Sequence, residues 1–180
     1  NLKDNINLIK KFTNADIQAV VKANSYGLDV SEVLKVIEDE VESFSVITIS
    51  EAEEVRKHTT KPILLLQGIH EQEEYSLIEK YKLDFVIHSN WQLHGIEKYN
   101  LSNSRIWLKI NTGMNRLGIN LGDFEKLFQK VKSLNAKDIV LMSQLSASSI
   151  KDDSETLSQI ETFNNLVNGI PCKKSLSNSG

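Results

Sequence analysis

The sequence predicts an α/β fold, a (β/α)8 TIM-type barrel that is incomplete at about seven βα units, and three observations predict it. Seven short apolar runs of strand character alternate throughout with amphipathic helical stretches. The polar residues Lys22, Gln67, His88, Lys109, Gln144 and Ser177 each fall at or just past the end of one of those runs, and the strand ends of a barrel form the face that holds its chemistry. The 8 glycines are scattered singly, so no G-x-G-x-x-G phosphate loop supports the competing doubly wound sheet.

The strands are expected at 17–23, 45–49, 63–66, 85–88, 105–110, 139–143 and 174–176. A leading helix is expected in "NLKDNINLIKKF", where Leu2, Ile6, Ile9 and Phe12 recur at helical spacing. Between the strands lie "DVSEVLKVIEDEV" from Asp29, "SEAEEVRKH" with Ser50 as its N-cap, "EQEEYSLIEKY" from Glu71 and "SNWQLHGIEKY" from Ser89. Two longer helices follow, from Leu121 and from Ser154, the second closed by Gly169 and Pro171. A complete barrel takes about 250 residues. The 180 residues are therefore expected to be a fragment, one partial barrel domain over residues 1–180 without its eighth strand.

Composition narrows the function. With 40% hydrophobic and 25% charged side chains the chain can bury a core, and its net charge of −3 carries no basic cluster longer than a lysine pair. Nucleic acid and anionic membrane surfaces are thereby excluded as expected partners. Apolar runs such as "PILLL" are far too short to span a bilayer, and the chain reads as soluble and cytoplasmic. The single cysteine, Cys172, and four histidines without ligand spacing give no metal site.

Two stretches carry the chemistry. In "AVVKANSYG", Lys22 interrupts an apolar run just before a glycine-ended turn. A strand-end lysine ordinarily snorkels to solvent, whereas one held in a partly desolvated mouth is suited to Schiff-base chemistry. In "WLKINTGMNRLGIN", a strand ends at Lys109, turns through Gly113, presents Arg116 and closes at Gly118. Surface roles for Tyr26, Arg116, Lys109 and Ser179 are the alternatives on spacing alone.

Together the two stretches resemble the signature motifs of the alanine racemase family, with "MSQLSAS" at 142–148 and "SLSNSG" at 175–180 in the same chain order. The resemblance spans essentially all 180 residues. It implies a pyridoxal 5′-phosphate-binding barrel, an amino-acid substrate, interconversion of L- and D-alanine, and a homodimer in the full-length protein with a C-terminal β-domain absent here. On matching residues, Lys22 would bind the cofactor as an imine and act as base on one face of the substrate. Tyr26 would bind the phosphate, as would Asn178, Ser179 and Gly180. Arg116 would reach the cofactor's phenolic oxygen and the substrate carboxylate. Lys109 matches a position carbamylated in many members. Gln144 would stand beside the cofactor where the family has histidine, and Leu28-Asp29 replaces the usual His-Gly. Alternatives of the same fold are a racemase for serine or another small amino acid, a basic amino-acid decarboxylase, and a non-catalytic carrier of the cofactor. The decarboxylase lacks its glycine-rich phosphate loop here.

Overall fold

The computed structural model describes residues 2–147 and 153–177. Its strands are β1 (Gln18–Val20), β2 (Ser43–Val46), β3 (Ile63–Leu65), β4 (Leu83–Ile87), β5 (Arg105–Lys109), β6 (Asp138–Gln144) and β7 (Lys173–Ser177). They form one curled sheet in the order β1 to β7, every neighbouring pair parallel. The seven predicted strands are all present and in sequence order.

Strand alternation divides the sheet into two faces. Phe44, Val46, Ile63, Leu65, Phe85, Ile87, Ile106 and Leu108 point out toward the helices and join the main core. Leu64, Val86, Trp107, Val140 and Met142 form a separate cluster on the inner face. Below it, at the N-terminal end of the strands, Arg105 grips the buried Asp84 through its guanidinium (2.8 Å) and its amide (2.7 Å). Burial pushes the Asp84 carboxyl up, against the pull of Arg105.

The helices cover the outer face because their apolar residues recur every three or four positions. In Phe124–Lys132, Phe124, Leu127, Phe128 and Val131 are buried, and the two phenylalanine rings stack at 5.5 Å. In Val30–Ile37, Val30, Val33, Leu34 and Ile37 are buried, and the Asp29 carboxylate caps the amides of Ser31 and Glu32. Each such side chain contributes about 1.5–3 kcal/mol when fully buried.

Several boundaries differ from the sequence expectations, for identifiable reasons. The stretch from Ser89 is two 3-10 turns, Asn90–Leu93 and Ile96–Lys98, because Gly95 takes a φ of +74° between them. Helix Ile49–Arg56 is capped by Thr48, whose hydroxyl accepts from the Glu51 amide, rather than by Ser50. The leading helix is Leu2–Lys10, yet it buries Ile6 alone while Leu2, Ile9 and Phe12 lie exposed. Finally β1 stops at Val20, and Lys22 opens a turn instead of ending a strand.

Candidate active site

After β1 the Val21 amide makes one last sheet bond to the Ser45 carbonyl (2.9 Å). The chain then coils left-handed through Lys22–Gly27, with φ of 49°, 52°, 55° and 56° at Ala23, Asn24, Ser25 and Tyr26. For L-residues this conformation costs roughly 1–2 kcal/mol each, somewhat less for asparagine, so the surroundings must hold it. The Asn24 side-chain oxygen accepts from the Val30 amide (2.8 Å), tying the coil to the next helix. On the other side the Glu51 carboxylate accepts from the Ala23 amide (2.8 Å). Lys22 is left half-buried at the strand ends, its ammonium 5.7 Å from the centroid of the exposed Tyr26 ring.

Glu51 was not singled out by sequence reasoning. The available signal was the Thr48-x-x-Glu51 capping-box spacing ahead of a helix. Its second oxygen accepts from the Ile47 (2.8 Å) and Thr48 (3.1 Å) amides. Burial works against its charge, but the amides of Ile47, Ala23 and Thr48 and the Lys22 ammonium outweigh it and hold the carboxyl below its ordinary value.

The second group of polar side chains sits at the ends of β5 and β6. The loop between Ile110 and Ile119 closes on itself through Asn111 N–H to the Ile119 carbonyl (2.9 Å) and Ile119 N–H to the Lys109 carbonyl (2.8 Å). Gly118, with φ +136°, lies so close to Asn111 that a Cβ there would stand 2.6 Å from the Asn111 nitrogen. The Asn111 side-chain oxygen receives the Gly113 and Asn115 amides and shapes the loop tip. From there Arg116 reaches across to Gln144, donating to its Oε1 (2.8 Å). The Lys109 ammonium donates to the same oxygen (3.3 Å). Buried Gln159 closes the arrangement from behind, donating to the Gln144 carbonyl (3.2 Å) and accepting from the Ser146 amide (2.9 Å).

Lys109 is only 6% exposed, and burial followed by repulsion from Arg116 lowers its pKa to about 8. Among the described residues neither Lys109 nor Arg116 has a carboxylate partner; one neutral amide oxygen serves both. The His88 ring packs edge-on to Trp91, its buried Nε2 without a hydrogen-bond partner among the described residues, and burial lowers its pKa, partly countered by the Gln67 carbonyl. The structure thus brings together Lys109, Arg116 and Gln144, and separately Lys22, Tyr26 and Glu51. Asn178, Ser179 and Gly180 lie outside the described residues. A cavity of about 500 Å³ lined by Phe128, Ile139, Ile170 and Cys172 opens at the opposite ends of β6 and β7, away from both groups.

Seven parallel strands in chain order, with basic and amide side chains gathered where they end, define a protein of the (β/α)8-barrel class, here an incomplete barrel. The chain matches the family model for the N-terminal domain of alanine racemase over residues 1–180. It is 36% identical to alanine racemase of Pseudomonas taetrolens over 99% of this chain and 51% of that protein. To alanine racemase of Haemophilus influenzae it is 40% identical over 74% of this chain and 38% of that one. The crystal structure of biosynthetic alanine racemase from Pseudomonas aeruginosa superposes with a TM-score of 0.90 at 31% identity, covering 98% of this chain and 51% of that one. The chain belongs to the alanine racemase family and spans about half the length of the two Pseudomonas relatives it matches.

Proposed function

We propose that residues 1–180 are the pyridoxal 5′-phosphate-binding barrel domain of a racemase that interconverts L- and D-alanine in the whole protein, a cytoplasmic homodimer. The observation that carries this reading is a strand-end face that holds a half-buried lysine, set on a strained coil after β1, and, as a separate group after β5 and β6, two basic side chains that share one neutral acceptor. That donor set fits the cofactor: Lys22 offers an amine for its aldehyde, and Lys109 and Arg116 offer positive charge with no carboxylate among the described residues to neutralise it. When bound, the cofactor supplies an electron sink that acidifies the hydrogen on the α-carbon of the amino acid.

The chain's own residues supply the rest. Lys22 holds the cofactor and moves a proton at its Nζ on one face of the substrate. Arg116 binds the substrate carboxylate and the cofactor's phenolic oxygen, its planar fork oriented by Gln144 Oε1. Lys109, whose pKa of about 8 keeps it mostly charged at pH 7 with roughly a tenth neutral, backs the same acceptor and is the position open to carbamylation. Tyr26 and the segment Asn178, Ser179, Gly180 hold the phosphate. Inversion needs a second base on the opposite face, and Lys22 is the one base this assignment places. Borohydride reduction of the intact gene product after incubation with pyridoxal phosphate, followed by peptide mapping, should mark Lys22. A label on Lys109 instead would overturn the assignment.

A further inference from the structure

We infer that Glu51 is the residue that positions Lys22: its carboxylate clamps the first peptide of the left-handed coil onto the loop that follows β2. The Ala23 nitrogen belongs to the peptide that joins Lys22 to Ala23, so the 2.8 Å bond from it to Glu51 Oε1 fixes the plane leaving the lysine's Cα. The peptide before Lys22 is held as well, its Val21 carbonyl accepting from the Ser25 amide (3.0 Å), so with both planes fixed the direction in which the Lys22 side chain departs is fixed too, and only its own torsions remain. Oε2 meanwhile is anchored by the Ile47 and Thr48 amides at 2.8 and 3.1 Å. Both oxygens are therefore acceptors, and three backbone donors converge on one carboxylate. Bonds of this charge-assisted kind are about twice as strong as neutral ones.

A glutamate that served only as a helix cap would need the Thr48 exchange alone. The bond to Ala23 spans 28 residues and reaches the coil that no local propensity explains, since Ala23 through Tyr26 include three residue types with no liking for positive φ. The Lys22 ammonium also lies near enough to draw the Glu51 carboxyl toward its charged form. Glutamine at this position would offer one acceptor oxygen for donors on two sides, and its amide group would confront either Ala23 N–H or the Ile47 and Thr48 amides.

The role in positioning Lys22 for the cofactor rests on the proposed function; the clamp itself does not, and the test separates them. In the intact gene product, Glu51→Gln and Glu51→Ala are compared with the parent and with Thr48→Ala, which removes the capping hydroxyl but keeps the Ala23 bond. Amide hydrogen exchange at Ala23, measured without cofactor, should speed up by about tenfold or more in both Glu51 variants and stay near the parent value in Thr48→Ala. With pyridoxal phosphate added, the rate of borohydride-fixed labelling of Lys22 should fall about tenfold or more in the Glu51 variants. Their induced visible circular dichroism per bound cofactor should change as well, while Thr48→Ala keeps both. Should Glu51→Ala fail to fold, Glu51→Gln, nearly the same shape, carries the comparison. Unchanged Ala23 exchange in Glu51→Gln, or equal losses of labelling in Thr48→Ala, would overturn the proposal. A parent that takes no label on Lys22 would refute the cofactor reading instead, and the exchange measurement would still decide the clamp.

Discussion

Ala23 offers a direct measure of the strain stored beside Lys22. Its side chain is exposed, its φ is 49°, and its amide bonds to Glu51, so Ala23→Gly removes a strained Cβ while deleting no buried contact and no hydrogen bond. Relief of the left-handed conformation is worth roughly 1–2 kcal/mol. Glycine's greater freedom in the unfolded chain takes back roughly 0.5–1 kcal/mol. The net expectation is a stabilisation of about 0.5–1 kcal/mol, which in a chain of this size raises Tm by about 1–4 °C. The matched control is Ala19→Gly in β1, where the extended backbone gives glycine no advantage and the same entropy cost destabilises. Urea and thermal unfolding followed by far-ultraviolet circular dichroism would give both values. If Ala23→Gly lowers the unfolding midpoint as Ala19→Gly does, the coil stores no such strain.

Gly118→Ala should destabilise by roughly 1–3 kcal/mol, because its φ of +136° and a Cβ 2.6 Å from Asn111 N admit no side chain, whereas Gly122→Ala, which meets nothing within 4 Å, should not; urea midpoints compare the two. Lys109 has its pKa lowered to about 8 from 10.5, so the folded state bears the cost of its buried charge below about pH 8 and sheds it as pH rises toward 10.5. Lys109→Met should accordingly be more stable relative to the parent at pH 7 than at pH 10, and a difference between the two proteins that does not shrink over that range would contradict the buried charge. Arg116→Lys keeps a positive charge but loses the fork that meets Gln144, and kcat/KM for alanine in the intact gene product should fall about 10- to 100-fold with cofactor loading largely kept. Gln144→His exchanges the shared acceptor for a titratable ring and should change racemization kinetics or the preference between alanine and serine; identical rates on both would show that the position has no functional part.

How far the sequence revealed this structure depended on where each feature's cause lies. The order of strands was visible because apolar runs such as "PILLL" and "DFVI" record their own burial, and the polar residues closing them marked the face at the strand ends. Gln144 was singled out because it closes such a run, and Lys22 and Arg116 because the stretches that carry them are long and distinctive. What stayed hidden is set at a distance. Nothing in the composition of "ANSY" announces four positive φ values, since a carboxylate 28 residues away sustains the first of them. One oxygen of Gln144 shared by Lys109 and Arg116 is likewise a product of β5 and β6 lying side by side. The lost helix after Ser89 is a nearer miss: its amphipathic spacing was real, and one glycine with φ +74° was enough to divide it.

The strand order has a consequence in time. Each strand pairs with the next one in the chain, and paired residues lie between 19 positions apart, as for Phe44 and Ile63, and 33 apart, as for Arg105 and Asp138. Chain-closure entropy grows so slowly with length that these extremes differ by only about 0.5 kcal/mol. Loop length therefore gives no βα unit a head start, and what distinguishes them is the apolar surface each one buries. β2, β3 and β4 are buried along their whole length, whereas β1 has two half-buried residues and an exposed one. Folding is expected to begin in the middle of the sheet and reach β1 late, so that the lysine's coil takes shape only after the wall behind it exists. Pulse-labelled exchange during refolding would show Val21 gaining protection after Phe44 and Leu66, and the reverse order would refute this sequence of events.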